Sequence, residues 1–313
     1  MASWLLGLCV LWVAGGASCH QTRRLDQVAA LPTVLPATPQ LDEVIAAINR
    51  NDSIQKMQST STTIEVLDTN LPRLKASLAM ERPNHLRLRA SVPFLMGSGL
   101  DVGSNDQLFW MRYPEGMQQT LLFANHAEYE QNMMTAPLPV NPKWLIEALG
   151  LVHLDRQLVT EGPIQRDDGT LEVRSDIPTA SGTYRRILLI DGQAGFIREQ
   201  IIYDPRGQLV ANSRSADHRL YEELGVVLPH SVRIQLQSNI APPFALQVEV
   251  GDYVLNQLLV DDPRLFEMPT DGSQQMIDLS RPAAMVPPAG LPPAALPPTG
   301  YVPTASQAPP LRR

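Results

Sequence analysis

Cysteine is nearly absent from this 313-residue chain, which has only Cys9 and Cys19, both near the N-terminus. The body of the chain can therefore hold no disulfide framework and no cysteine-based metal site. Aromatic residues make up only 5%, and the 25 basic residues are outnumbered by 32 acidic ones. This charge balance argues against nucleic acid as the main partner, because phosphate binding needs a basic surface.

Motifs that carry catalysis are missing as well. The sequence has no G-x-x-x-x-G-K-[ST] phosphate-binding loop and no G-x-S-x-G nucleophile turn. Its six histidines form no H-x-x-x-H or other metal-ligand spacing. Asp217 and His218 are adjacent, but neighbours in a strand point to opposite faces, so we interpret the pair as surface residues. The sequence thus predicts no enzyme, no metal site and no cofactor.

Charged side chains are absent from residues 1–18, where an apolar run extends from Trp4 to Val13. Such a run is too short to span a bilayer and is typical of a signal peptide. Small residues at 16–18 stand directly before Cys19. This arrangement resembles the lipobox of bacterial lipoproteins, which implies that residues 1–18 are removed and that Cys19 is lipidated. The alternatives are ordinary signal cleavage with Cys19 unmodified, or an uncleaved N-terminal anchor.

Proline marks two segments outside the predicted fold. Residues 19–40 contain three prolines and show no strand or helix periodicity, so we predict a flexible tether. Ten of the 28 prolines fall in the last 32 residues, in repeats such as VPPAG and LPPAA. Because paired prolines lack N–H donors, we predict that residues 281–313 form a disordered, Pro-rich tail.

Hydrophobic periodicity predicts the fold of residues 41–280. Helical spacing is found over 41–50 and 142–150, with a further helical stretch near 124–134. Most of the remaining sequence alternates apolar and polar residues with a period of two, which is typical of half-buried strands. We predict an α+β, mainly β domain: a single curved antiparallel sheet of about eleven strands, forming a half-open barrel covered by two or three helices.

Three stretches of the sequence resemble a known family. DVGSNDQLFWMRYP (101–114) resembles a strand-turn-strand block of LolA/LolB-like proteins. YDPRGQLV (203–210) and GVVLPHSVRIQL (225–236) are similar to the late hairpin of the same family. The resemblance covers residues 41–256. It implies a half-barrel that encloses an apolar cavity, closed by helices, for the acyl chains of lipoproteins or other lipids.

Apolar residues of neighbouring strands are the expected lining of such a cavity. The candidates are Leu86, Leu88, Val92, Phe94, Phe109, Met111 and Leu121. Seven of the eleven methionines lie between positions 57 and 134, and flexible thioethers suit a site that takes variable chains. Packing in an ordinary closed core is the alternative for both groups of residues.

The resemblance and the N-terminal pattern together predict a membrane-anchored envelope lipoprotein that faces the periplasm, at the outer rather than the inner membrane. The expected partners are lipid or lipoprotein acyl chains and, through the lipid anchor, the membrane itself. Its expected function is to carry or receive these acyl chains. The alternative is an envelope sensor or scaffold lipoprotein with the same fold and no transfer activity.

Overall fold

The computed structural model describes residues 31–69, 72–91, 99–115, 118–136, 141, 143–237, 243–259, 262, 264–270 and 275–280. The predicted signal peptide, Cys19 and the Pro-rich tail lie outside the described residues, as do Val92 and Phe94. None of the helices in the described part is both long and apolar enough to cross a membrane.

Strands make up 52% of the structure and form a large curved, unclosed sheet of fifteen strands. They are β1 (Lys56–Val66), β2 (Leu74–Glu81), β3 (His85–Ser91), β4 (Asp101–Ser104), β5 (Leu108–Glu115), β6 (Gln118–Asn125), β7 (Val159–Gln165), β8 (Thr170–Thr179), β9 (Gly182–Asp191), β10 (Ile197–Tyr203), β11 (Leu209–Tyr221), β12 (Val226–Leu236), β13 (Phe244–Val250), β14 (Val254–Leu255) and β15 (Gln275–Asp278). The predicted fold class is confirmed, but eleven strands was too few, because strands of two to four residues are too short to show alternation.

The order across the sheet is β15-β6-β5-β4-β3-β2-β1-β13-β12-β11-β10-β9-β8-β7, and β14 pairs with β1. Neighbouring strands are antiparallel except β15, which runs parallel to β6. The first half of the sheet (β1–β6) and the second half (β7–β13) therefore meet where β1 pairs with β13. Short hairpins account for most connections, as the turn signals in the sequence predict.

The three predicted helical regions are all present. Helix α1 is Leu41–Ile48, α2 is His126–Asn132, and α3 is Lys143–Ile146, which continues as a π-helical turn over Glu147–Leu151. Asn125 caps α2, since its Oδ1 accepts a hydrogen bond from the amide of Ala127 at 3.0 Å. We call residues 143–151 the cover segment. It contains Gly150, whose φ of 93° suits glycine near the end of a helix.

The two faces of the sheet differ in what covers them. We call the face that carries Leu88 the inner face; the register across β1–β3 puts Leu78 and Ile64 on the same side. Side chains of α2 and the cover segment join this face in one large buried cluster. Helix α1 packs in a second cluster on the inner face of β8 and β9, with Val173 and Leu188.

The packed body extends further toward the N-terminus than α1. The amides of Val34 and Leu35 both donate to the carbonyl of Gln193, at 2.7 and 2.9 Å. The side chain of Leu35 is buried in the same cluster as α1. The predicted tether of residues 19–40 is therefore in contact with the body around Leu35.

Candidate functional site

The predicted lining residues of the first half of the sheet lie mostly on one face. Leu86 on β3 lies opposite Ser104 on β4, which in turn lies opposite Phe109 on β5. Leu88, Val102 and Met111 form the neighbouring row in the same way. These four lining candidates therefore share the inner face. Leu86, Leu88 and Phe109 belong to the large buried cluster. The alternation in β3 therefore predicted the correct side of the sheet for these residues.

These residues are packed rather than open to a cavity. The Phe109 ring meets the Tyr129 ring of α2 edge-on, with centroids 4.9 Å apart. Met133 and Trp144 are buried in the same cluster. Side chains of α2 and the cover segment thus fill the space above these strands, and a cavity that the candidates line in an open form stays a prediction. The described part does hold a small cavity of about 40 Å³ elsewhere, near α1 and β11.

Leu121 does not belong with the other lining candidates. Leu121 lies opposite Arg112 in the register, and Arg112 lies opposite Asp101. All three side chains are therefore on the outer face, the side of the sheet away from Leu88. Leu121 is fully buried there. The prediction of a shared face for all the candidates is wrong for Leu121, because the run Leu121, Leu122 and Phe123 has no alternation that would fix its orientation.

The outer face of β3–β6 carries a buried ionic cluster. Asp101 Oδ2 accepts from Arg87 Nη2 at 2.6 Å and from Arg112 Nη2 at 3.4 Å. The Arg87 guanidinium lies over the Trp110 ring, 5.0 Å from its centroid. Trp110 in turn lies against Gly103, where a Cβ would come within 2.1 Å of the indole. The block that resembles the LolA/LolB-like family thus supplies all of this cluster except Arg87, which belongs to β3.

A segment near the C-terminus covers this cluster. We call residues 264–270 the strap. Arg87 Nη1 donates to the carbonyl of Glu267 at 2.5 Å and lies 3.4 Å from that of Leu265. The Phe266 ring stacks on His85, with centroids 5.0 Å apart. Burial lowers the pKa of Arg87, and Asp101 opposes that effect.

The inner face of the second half of the sheet also carries a buried arginine. The register places Arg186 beside Ser175 and Ile202, and Gln200 beside Leu188 and Ser213, all facing inward. Arg186 Nε donates to Ser175 Oγ at 3.0 Å. Arg186 and Gln200 are 4% and 1% exposed. A polar patch therefore interrupts an inner face that is otherwise largely apolar.

The carboxylate that faces this polar patch comes from the cover segment. Glu147 Oε2 lies 3.5 Å from Arg186 Nη1 and accepts from Gln200 Nε2 at 3.3 Å. The far end of the cover segment is fixed, because Arg82 Nη2 donates to the carbonyl of Leu151 at 3.4 Å and Asn51 Nδ2 donates to that of Val152 at 2.7 Å. Glu147 is thus the part of the cover segment that contacts the polar patch.

Helix α2 is held at both ends by the last described residues. The amide of Asn125 donates to Ser280 Oγ, and Asn132 Nδ2 donates to the carbonyl of Ser280, each at 3.2 Å. The amide of Leu279 donates to the carbonyl of Phe123 at 2.7 Å. The body therefore reaches Ser280, directly before the predicted Pro-rich tail.

His218 is not the surface residue that the sequence suggested. Its ring stacks on Phe196, with centroids 3.9 Å apart, beside the small cavity near α1. Desolvation lowers the pKa of His218 to about 4, and a hydrogen bond with the backbone of Ile197 opposes this effect. The surface interpretation holds for the exposed Asp217 but not for His218, whose ring is half-buried because Phe196, in the turn between β9 and β10, lies over it.

No group of three metal-ligating side chains occurs among the residues that the structure describes. The arrangement as a whole offers an apolar inner face, one buried polar patch and a cover made of short helices. Sequence reasoning missed Arg186, although its inward position was readable from the alternation of Tyr184, Leu188 and Ile190 with the residues between them.

Comparisons with known proteins find similarity in structure only. No family model and no curated protein matches the chain. Many solved structures are similar to the chain, among them three bacterial proteins. A domain provisionally described as an outer membrane lipoprotein-sorting protein, from Vibrio parahaemolyticus, is 8% identical, with a TM-score of 0.47, over 71% of this chain and 95% of that one. A DUF1329 family protein from Desulfovibrio piger is 11% identical, with a TM-score of 0.46, over 72% and 95%.

The third is a LolA superfamily protein from Nitrosomonas europaea, 11% identical, with a TM-score of 0.43, over 71% of this chain and 96% of that one. Identities and TM-scores this low say nothing of ligand or activity, which have to be argued from the residues of this chain.

Proposed function

We propose that this protein is a bacterial envelope lipoprotein that binds the acyl chains of lipids or lipoproteins against the inner face of its sheet, and carries or receives them. The observation that supports this proposal is the apolar inner face of an unclosed sheet, covered only by short helical pieces. Acyl chains have no polar groups, so their site must be apolar and adaptable. The proposal assigns the protein a binding role and no catalytic one.

The cover has the properties of a movable element. Helix α2 has seven residues, and the cover segment consists of a four-residue helix and a five-residue π-helical turn. Helices of this length are not stable alone and depend on packing against the sheet. If the cover moves away, an acyl chain can replace its side chains on the inner face, so that apolar surface stays buried at little net change in free energy.

Methionine side chains make the inner face tolerant of different chains. Met57 and Met80 lie beneath the cover on β1 and β2, and Met133 follows α2. A flexible, polarisable thioether can repack around ligands of different length. Our proposal therefore expects a preference for acyl chains as a class rather than for one chain length.

Mass spectrometry of lipids extracted from the purified protein tests acyl-chain binding. We expect acyl lipids at a stoichiometry near one per protein, and their absence would contradict the proposal. Transfer of a fluorescent lipid between two vesicle populations, catalysed by the protein, would distinguish a carrier from a sensor or scaffold that binds lipid without releasing it.

The proposed membrane anchor is Cys19, with the folded body facing the periplasm from the outer membrane. Cys19→Ser is expected to move the protein from the membrane to the soluble fraction. The N-terminal peptide of the unmodified protein should carry acyl mass on Cys19. Membrane retention of the variant, together with an unmodified N-terminal peptide, would overturn the anchor.

A further inference from the structure

Arg186 places a buried positive charge on the inner face, where an acyl-chain site alone would need none. Arg186 is 4% exposed and lies on the sheet among Ser175, Gln200 and Ser213. Among the described residues, Glu147 is the carboxylate within ion-pair distance of it. That carboxylate belongs to the cover segment and not to the sheet.

This division has a physical consequence for any open state. When an acyl chain takes the place of the cover segment, Glu147 leaves and Arg186 stays on the sheet, buried beneath the ligand without a counter-charge. Such a charge is costly unless another anion replaces the one that was lost. Opening of the cover and arrival of an anion are therefore energetically coupled.

We propose, building on the function above, that the ligand is an anionic amphiphile whose carboxylate or phosphate oxygens replace Glu147 on Arg186 while its acyl chain lies along the apolar inner face. In the structure Glu147 occupies the position of the anionic headgroup. Arg186 determines specificity, since its planar guanidinium pairs well with carboxylate and phosphate oxygens.

Gln200 adds an independent feature to this site. It is 1% exposed, its Nε2 donates to Glu147, and its Oε1 has no hydrogen-bond partner among the described residues. A buried amide oxygen without a partner is uncommon in folded proteins. A hydroxyl of a lipid headgroup, next to the anionic oxygens, would satisfy it.

The backbone allows Glu147 to move while the end of the cover segment stays in place. Gly150 lies between Glu147 and the carbonyl of Leu151, which Arg82 holds. Its φ of 93° is in the left-handed region, which glycine enters without strain. Rotation at Gly150 would lift Glu147 from Arg186 and leave Leu151 and Val152 anchored.

The test compares a carboxylate probe with its neutral form. The full chain carrying Cys19→Ser is titrated with cis-parinaric acid and with methyl cis-parinarate, which have the same acyl chain. We expect the acid to bind more tightly by a factor of about ten or more, since a hydrogen-bonded charge pair contributes at least that factor in affinity. Inorganic phosphate at millimolar concentration should not displace the acid, because it has no acyl chain.

Four variants separate the headgroup site from general effects. Arg186→Gln and the double variant Arg186→Gln/Glu147→Gln should bind acid and ester equally. Because the double variant removes both charges of the pair, it should fold even if the single variant does not. Glu147→Gln should bind both acid and ester about fivefold more tightly, because the internal carboxylate that either probe must displace is gone, and the preference for the acid should remain. Arg185→Gln is the matched control, an exposed arginine on the opposite face that should change nothing.

The outcomes distinguish the inference from the proposed function. Equal binding of acid and ester by the unmodified site would overturn the headgroup site and leave acyl-chain binding standing. Binding of neither probe would overturn both. If the double variant still prefers the acid, or if Arg185→Gln abolishes the preference as well, the preference comes from the overall charge of the protein. Either result would overturn the role of Arg186. Displacement of the acid by inorganic phosphate would mean that the site binds free anions, and would overturn the proposal of a lipid ligand.

Discussion

Two of the buried arginines, one in each half of the sheet, find their carboxylates in different places. Arg87 on the outer face of the first half pairs with Asp101, which belongs to the neighbouring strand β4, and the strap adds only carbonyl groups. Arg186 on the inner face of the second half pairs with Glu147, which belongs to the cover segment. A partner on the sheet keeps its charge pair when the covering segment moves, whereas a partner on the cover does not.

This difference assigns different roles to the two clusters. The Arg87 cluster has its counter-charge within the sheet and stabilises β3, β4 and β5 against one another. The Arg186 cluster is complete only while the cover segment is closed, so it can respond to a ligand. Buried ion pairs contribute little net stability compared with apolar packing, but loss of one partner is strongly destabilising. Variants that remove or add one charge are therefore the sharpest way to test the comparison.

The largest effect is expected where a charge enters the apolar part of the inner face. Leu88→Asp places a carboxylate in the buried cluster of the first half, where its neighbours are Leu78 and Val102. An isolated buried charge costs several kcal/mol, so we expect the variant to be unfolded or to lose about 4 kcal/mol or more. Urea denaturation followed by circular dichroism measures the change.

Ser91→Asp is the control for this change, since Ser91 lies on the same strand and is exposed. It should alter the free energy of unfolding by less than about 0.5 kcal/mol. A Leu88→Asp variant as stable as the control would mean that the inner face is open to solvent at Leu88, as the sequence analysis expected.

The next effect concerns the carboxylate of the first arginine. Asp101→Asn leaves Arg87 and Arg112 buried without a counter-charge on the sheet, and we expect a loss of about 3–5 kcal/mol in the free energy of unfolding. Asp217→Asn removes an exposed carboxylate that pairs with Arg219 at 2.7 Å, and should cost at most about 1 kcal/mol. Similar losses in the two variants would refute the structural role of the Asp101 cluster.

The sequence predicted the inner face of the first half better than its outer face. In β3 the alternation of Leu86, Leu88 and Ala90 with Arg87 and Arg89 identified the apolar side correctly. A polar side is normally expected to face water, and nothing local in β3 shows that the strap covers Arg87. The strap lies some 180 residues later in the chain, so only the tertiary structure brings the two together.

Two other features were beyond local patterns for related reasons. In β6 three consecutive apolar residues show no alternation of apolar and polar side chains, so the face on which Leu121 lies could not be assigned. Whether an apolar face lines a cavity or a solid core depends on how well α2 and the cover segment fill the space, which is a matter of volume rather than of pattern. The fold class and the three helices were predictable because each has a periodic signal of its own.

Gly103 tests the apolar support of the outer cluster. Gly103→Ala would place a Cβ 2.1 Å from Trp110 Cζ2, so the indole beneath Arg87 must shift. Overpacking of this kind costs about 1–3 kcal/mol, and we expect a loss in that range by chemical denaturation. Combining it with Trp110→Leu should give less than the sum of the two single losses, because the smaller side chain makes room. Strict additivity would contradict the contact.

His218 extends the comparison to a partly buried basic group, in which the desolvation effect on the pKa is larger than the effects of its neighbours. Its pKa in the folded protein is about 4, lowered mainly by desolvation from the usual 6.5. Between these values the unfolded chain binds the proton and the folded protein does not, so stability is complete above pH 6.5 and falls as the pH decreases toward 4. We expect a loss of about 1–2 kcal/mol across this window, reduced from the full shift by partial exposure.

The measurement is the difference in free energy of unfolding between pH 7 and pH 4.5 for the wild type and for His218→Gln, which cannot titrate. The variant should lose less stability over this interval than the wild type, by the amount given above. Asp191 and Asp217, the nearby carboxylates, are unchanged in the variant and cancel in the comparison. An identical pH dependence in both proteins would show that the imidazole takes up its proton in the folded state.

The smallest effect is expected at the strap. Phe266→Ala removes the ring that stacks on His85, and such a ring pair is worth about 0.5–1.5 kcal/mol. Because Asp101 still holds Arg87 from the sheet, global stability should fall by no more than about 1 kcal/mol. The amides of Leu265 and Glu267 should instead exchange hydrogen faster, since their bonds to Asp262 and Arg264 lie within the loosened segment. Phe244→Ala, at an exposed phenylalanine in β13, serves as the control and should leave strap exchange unchanged. A loss above about 3 kcal/mol in Phe266→Ala would mean that the strap holds the first half of the sheet together, and the two arginines would then depend equally on the segments that cover them.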